Sequence, residues 1–130
     1  MKLLLDTHIW IWSLSGEQML STRVETALKD PANQIWLSPV SIWELMILVQ
    51  KNRVKLGEEL DRWVEQSWEI LPVKEAALTW EVALAVPSIR LPHRDPADAF
   101  IAATAKVYEL TLVTSDLHLR SLKGISVLKY

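Results

Sequence analysis

Four short runs of this chain are apolar without alternation: Leu3-Leu4-Leu5, Ile35-Trp36-Leu37, Thr111-Leu112-Val113-Thr114 and Ile125-Ser126-Val127-Leu128. A strand with one wet face alternates polar and apolar residues. A run that does not alternate belongs to a strand covered on both faces, which is the signature of a parallel sheet between two helical layers. Ile70-Leu71 reads as a further short strand, cut off by Pro72. The chain has 130 residues, enough for one domain with a genuine core, and no linker, repeat or low-complexity tract divides it.

Helical patterns fill the spaces between these runs. Ser21 is placed to cap a helix that Asp30-Pro31 stops. Over 41–52, Ile42, Leu45, Met46 and Val49 fall at the i, i+3, i+4, i+7 spacing of a helix face. Leu60, Trp63, Val64 and Trp68 repeat the pattern over 58–68, and an alanine-rich helix is expected over 74–86. Asp95-Pro96 opens a helix over 96–109, and a short one is expected over 116–122. The stretch HIWIW at 8–12 suits strand or helix equally. Strands alternating with helices give an α/β domain with a mostly parallel sheet spanning 1–130.

Open α/β sheets bind ligands beyond the carboxyl ends of their strands. Asp6 follows the first run directly, and Asp116 follows the run at 111–114. Glu44 is expected in the first turn of the helix after the second run. Parallel strands put these three at one sheet edge. Asp98 joins them if its helix also starts there, which the order of elements favours. Each acid except Asp6 has a purely structural explanation. Ser41-x-x-Glu44 has the form of a capping box, Asp95 and Asp98 suit a helix N-terminus, and Asp116 follows Ser115 at a helix start. Together the explanations weaken. The helices carrying Glu44 and Asp98 are apolar nearly all round, and buried carboxylates cost several kcal/mol unless paired or bound to metal. Arg94 is the one obvious cation near them in sequence. Four acids with too few cations suggest a divalent ion, and oxygen-only ligands with no cysteine in the chain favour Mg²⁺ or Mn²⁺.

The segments LLLDTHIWIW, SPVSIWEL, HRDPADAFIAATA and LTLVTSD resemble, in this order, the signature segments of PIN domains, and more narrowly those of VapC-type toxins. The resemblance spans residues 2 to about 118. It implies a three-layer α/β/α sandwich and a Mg²⁺- or Mn²⁺-dependent endoribonuclease. Asp6, Glu44, Asp98 and Asp116 match the family's four acids, and Asp95 an extra acid of the HxDPxD branch. Thr7 and Ser115 match small hydroxyl residues lining the site, and His93 and Arg94 are placed to support it. The implied partners are RNA, a small, DNA-binding antitoxin protein and a second copy of the chain. One departure is Ala99, where this branch often has arginine; Arg94, Arg90 or Arg120 could substitute.

Other readings compete. A binding module on the same fold would need no intact acid set, and all four acids are present. An aspartate-nucleophile phosphatase would carry a second acid at position 8, where this chain has His8. Gly16, Gly57 and Gly124 form no phosphate-binding loop. His8 is expected to be packed, His118 to lie near the site or on the surface, and Trp43 in core or partner interface rather than against a base. Seven tryptophans are more than one core can hold, so several are expected at a subunit or partner surface. Asp6 breaks the N-terminal apolar run, no stretch reaches the roughly 18 apolar residues of a membrane span, and a cytoplasmic location is expected. The net charge of −2 offers no general attraction for nucleic acid.

Overall fold

A computed structural model describes residues 1–15, 19–92 and 95–128. Five strands, β1 (Lys2–Leu5), β2 (Gln34–Leu37), β3 (Lys74–Glu75), β4 (Thr111–Val113) and β5 (Val127–Leu128), form one sheet in the order β3-β2-β1-β4-β5. Every pairing is parallel, with Leu3 opposite Ile35 on one side and Thr111 on the other. The helices are α1 (Thr7–Ser15), α2 (Thr22–Lys29), α3 (Pro39–Gln50), α4 (Leu60–Ile70), α5 (Trp80–Ala85), α6 (Pro96–Tyr108) and α7 (Leu117–Arg120).

The unbroken apolar runs are explained by what covers them. Leu3 and Leu5 face one way, into a cluster with Ile9, Trp10, Val24, Ile35, Leu37, Leu45 and Val64 from the α1, α2, α3 and α4 side. Leu4 faces the other way, with Ala97, Ile101, Ala102 and Ala105 of α6, and with Leu112 and Leu119. Successive strand side chains point to opposite faces, so both layers demand apolar residues and alternation disappears. Trp10 is fully buried, its ring edge-on to Trp63 at 5.5 Å between centroids. The small residues of α6 let it lie close against the sheet.

Several elements differ from expectation. HIWIW is helical, inside α1. Ile70 closes α4 and Leu71 is its C-cap, extended because Pro72 disfavours a helical residue before it. The edge strand forms after that proline, at Lys74–Glu75. The alanine-rich helix is therefore short. Residues 74–75 are taken by pairing with β2, the Ala76 N–H donates to the Leu37 carbonyl, and Thr79 caps α5 by accepting from the Val82 N–H. At its far end α5 passes into a 3₁₀ turn, Val86–Ser88.

The helix carrying Glu44 also begins earlier than expected. Ser38 is its N-cap, accepting from the Val40 N–H at 3.1 Å, with Pro39 in the first turn. Ser41-x-x-Glu44 is thus not a capping box, and Glu44 lies in the second turn. That helix is also less enclosed than its composition implies. Only Val40, Ser41 and Leu45 are buried, and Trp43 is exposed. Among the described residues, no helix is long and apolar enough to cross a membrane.

Candidate metal centre

The chain reverses direction across the sheet at β1. From β1 it winds through β2 to β3 on one side, then returns to place β4 and β5 on the other. A crevice opens at such a switch point, outside the carboxyl ends of the two diverging strands. Asp6 stands there. Its N–H donates to the Val113 carbonyl at 3.0 Å, tying the end of β1 to the end of β4. Both of its carboxylate oxygens are held: Oδ1 accepts from the Thr7 N–H and Oδ2 from the Thr114 hydroxyl, each at 2.8 Å. The Thr114 hydroxyl oxygen also accepts from the Asp116 N–H at 3.0 Å, so one side chain links the two strand-end acids.

Two helix N-termini bring further acids. Asp95 caps α6, its Oδ1 accepting from the Ala97 and Asp98 N–H groups at 3.0 and 3.4 Å. Asp116 caps α7, its Oδ1 accepting from His118 and Leu119 N–H at 2.8 and 3.2 Å. Each cap leaves the second carboxylate oxygen for other work. Glu44 comes from α3. Glu44, Asp95 and Asp98 each place one carboxylate oxygen within 4.8 Å of the others. A pocket of about 310 Å³ is lined by Asp6, His8, Trp12, Glu44, Asp95, Asp98, Ser115 and Asp116.

Burial and mutual repulsion make Asp6, Glu44 and Asp98 hard to ionise in the bare protein. Asp98 is 8% exposed, and its pKa is pushed up to about 8, first by desolvation and then by Asp6, Asp95, Glu44 and Asp116. Desolvation also raises Asp6, against the opposing pull of the Thr114 hydroxyl, the Thr7 N–H and His8. Glu44 is raised by desolvation too, and then by the charges of Asp6 and Asp95. Its Oε1 is buried with no hydrogen-bond partner among the described residues. A buried acceptor left unsatisfied is costly, and a cation would satisfy it. The donors are all hard carboxylate oxygens, with no thiol in the chain. The residues present therefore fit Mg²⁺ or Mn²⁺.

All four expected acids meet at this pocket, with Asp95 as a closer neighbour of Glu44 and Asp98 than expected of a supporting residue. Ser115 lines the pocket, whereas Thr7 is fully buried behind it and donates its hydroxyl to Ser41 Oγ at 2.9 Å. His93 and Arg94 lie outside the described residues. Arg120 lines a different hollow, beside Leu117 and Ser121. His118 is exposed on α7, and Trp43 borders an apolar groove with Leu78 and Phe100. His8 is exposed rather than packed. Sequence reasoning missed three contributors: Trp12 and His8 in the wall, and Thr114 as the residue holding Asp6. Had HIWIW been read as a helix, the i, i+4 spacing of His8 and Trp12 would have put both on one face beside Asp6.

A family model described as the PIN domain matches residues 3–125. Ribonuclease VapC22 of Mycobacterium tuberculosis (strain ATCC 25618 / H37Rv) is 33% identical over 121 residues, which cover 91% of this chain and 89% of that protein. Among solved structures, VapBC2 from Rickettsia felis, crystallised with a DNA fragment from their promoter, gives a TM-score of 0.73 at 18% identity over 98% of both chains. FitAcB from Neisseria gonorrhoeae gives 0.63 at 25% identity, over 98% of this chain and 96% of that one. A toxin–antitoxin complex from Klebsiella pneumoniae gives 0.64 at 23% identity, with 98% and 96% covered.

Proposed function

Because this chain belongs to the PIN-domain family, we propose that it is a metal-dependent endoribonuclease and the toxin of a toxin–antitoxin pair, built as one domain over 1–130. The observation that carries the reading is the convergence of Asp6, Glu44, Asp95, Asp98 and Asp116 on one pocket, with Glu44 Oε1 buried and without a partner among the described residues. The similarity to a ribonuclease over nine-tenths of the chain supports the reaction class.

Asp6, Glu44, Asp98 and Asp116 would hold Mg²⁺ or Mn²⁺, with Asp95 beside them. When bound, the ion would neutralise charge on a phosphodiester and make water a better nucleophile at neutral pH. The reaction is a hydrolysis: a water oxygen adds to phosphorus, the P–O3′ bond breaks, and a 5′-phosphate and a 3′-hydroxyl result. The chain's own residues act by position. Thr7 and Thr114 fix the Asp6 carboxylate from both oxygens. Asp95 holds the first turn of α6, and so the Asp98 backbone, in place. Ser115 offers a hydroxyl at the pocket wall. His93 and Arg94, which precede Asp95 in sequence, are the candidates for contact with substrate phosphates.

The expected partners are RNA, a small DNA-binding antitoxin protein and a second copy of the chain. The fold is shared with chains solved in a toxin–antitoxin complex and with VapBC2 on promoter DNA. Trp80 and Leu84 of α5 stand 90% and 81% exposed, apolar surface of the kind that association covers. A cytoplasmic site of action follows from an RNA substrate and a DNA-binding partner.

The test is cleavage of a mixed RNA pool by the purified chain with Mg²⁺, Mn²⁺ or EDTA, beside Asp6→Asn and Asp98→Asn. Metal-dependent cutting lost in both variants is expected. No cutting by the unchanged chain, with no metal bound in calorimetry, would leave a binding module on the same fold. Cutting that survives both substitutions would mean the site is elsewhere.

A further inference from the structure

We propose that His8 and Trp12 form a base-stacking subsite at the wall of the acidic pocket, holding an unpaired nucleobase of the RNA beside the phosphate to be cut. The proposal rests on the nuclease reading and specifies how its substrate is gripped. Both residues lie on α1, four apart, and so on one face of that helix. Both line the acidic pocket. Their ring centroids are 5.8 Å apart with planes tilted by 54°, so neither ring covers the face of the other. His8 is exposed, whereas Trp12 is half-buried and packed on its inner side against the core cluster of β1 and α1. A rigidly backed indole loses little freedom when a base settles on it. Trp12 is also a wall of a second, larger hollow of about 820 Å³, which continues past Leu20, Leu28, Ile70 and Pro72. The indole is thus a rib between the acid cluster and a groove with room for the next part of a strand.

Charge explains why such a grip is needed. The chain carries a net charge of −2, and five carboxylates line the pocket. An RNA backbone approaching this wall gains little from the long-range attraction that usually supplies nucleic-acid affinity. Stacking on an aromatic face needs no net charge, accepts any base, and is open only to bases freed from a duplex. The subsite therefore requires an unpaired base beside the cut, as in a single strand or a loop.

The experiment uses the full chain with Mn²⁺ and a labelled single-stranded RNA whose cut site has been mapped. The same RNA is also prepared as a duplex and with an abasic nucleotide next to the cut. Trp12→Ala is expected to raise KM about tenfold while kcat stays within about twofold, and Trp12→Phe to recover most of the loss. His8→Ala should raise KM by about threefold, and the duplex should resist cutting. The abasic RNA should cost the unchanged chain about as much as Trp12→Ala does, and should cost that variant little more. Equal abasic penalties in both proteins, or a flat KM across the variants, would overturn the subsite. Should Trp12→Ala fail to fold, Trp12→Phe and His8→Ala with the abasic RNA decide the matter alone. If the unchanged chain shows no metal-dependent cutting, the nuclease reading falls first and the subsite with it; cutting with flat KM removes the subsite only.

Discussion

Replacing Asp98 by asparagine should make the metal-free protein more stable and the metal-loaded protein less so. Asp98 has its pKa raised from 3.8 to about 8, by burial and by four neighbouring carboxylates. The unfolded chain therefore loses its proton near pH 4, while the folded chain keeps it up to about pH 8. Between those values folding takes up a proton. The contribution is fully present below 3.8 and is lost as pH rises towards 8. At pH 7 that amounts to about 4 kcal/mol against the protonated reference, at roughly 1.36 kcal/mol for each pH unit crossed. The pocket is walled by exposed His8, and solvent screening of the four repulsions brings the expected gain to about 2 kcal/mol. Asparagine has the shape of aspartate without the charge. In EDTA at pH 7 the variant should melt higher by about 8 °C, taking roughly 4 °C per kcal/mol for a chain of this size.

Thermal melts across pH 4 to 8, with EDTA or saturating Mn²⁺, test both halves of this. In EDTA the gap between variant and parent should open as pH rises and close near pH 4. Mn²⁺ at a hundredfold over its Kd should stabilise the parent by about 2.7 kcal/mol and the variant far less. The ion needs Asp98 ionised, so the parent's apparent affinity for metal should climb as pH approaches 8. A variant that melts at or below the parent in EDTA would refute repulsion and desolvation as the dominant forces at this site. A variant that keeps the whole Mn²⁺ shift would refute Asp98 as a ligand.

Three further outcomes are expected. Thr114→Val removes the hydroxyl that donates to Asp6 Oδ2 and accepts from the Asp116 N–H, so calorimetry should show Mn²⁺ affinity reduced about tenfold with the fold retained. Ser38→Ala should cost about 1 kcal/mol in denaturant unfolding through loss of the α3 N-cap, and Ser41→Ala should leave that cap intact. Trp80→Ser with Leu84→Ser should leave the melting temperature of the monomer nearly unchanged and shift sedimentation towards monomer; a shift that never appears would place self-association elsewhere.

The sheet was legible because burial on both faces leaves a mark that survives in three residues: Leu3, Leu4 and Leu5 are all fully buried, on alternating sides. The converging acids were legible for the same reason, since parallel strands have one carboxyl edge and Asp6 and Asp116 follow their strands directly. Local boundaries were less so. Ser38 and Ser41 are equivalent as cap residues on paper. Pro39 decides between them, because its fixed backbone suits the first helical turn and its missing N–H costs nothing there. Residues 74–79 carry alanines that favour a helix, but the β2 edge offers them hydrogen bonds, and tertiary pairing outweighs a propensity of a few tenths of a kcal/mol. His8 and Trp12 were hidden by HIWIW, whose periodicity fits two conformations until the Asp6 carbonyl is seen to accept from the Trp10 N–H and begin a helix.

The aspartates that open α6 and α7 show why capping and metal binding need not compete. A carboxylate has two oxygens. Asp95 and Asp116 each give Oδ1 to two backbone N–H groups of their own helix, which costs them only one of the two. The cap fixes the carboxylate's orientation, so the second oxygen is held before any ion arrives. Asp6 reaches the same rigidity through Thr7 and Thr114. Glu44 differs: its longer side chain leaves Oε1 without a partner among the described residues. A cation entering the pocket would give that oxygen the partner it lacks. On this reasoning Glu44→Gln should weaken Mn²⁺ binding while removing the buried charge, and so raise the melting temperature in EDTA, as Asp98→Asn does. Asp95→Ala should melt below Glu44→Gln, because about 1 kcal/mol of lost cap offsets the repulsion that Asp95 exerts on Asp98 and Glu44. A melting temperature for Asp95→Ala clearly below that of Glu44→Gln in EDTA would separate the ligand that is already employed from the ligand that is not; equal values would undo the distinction.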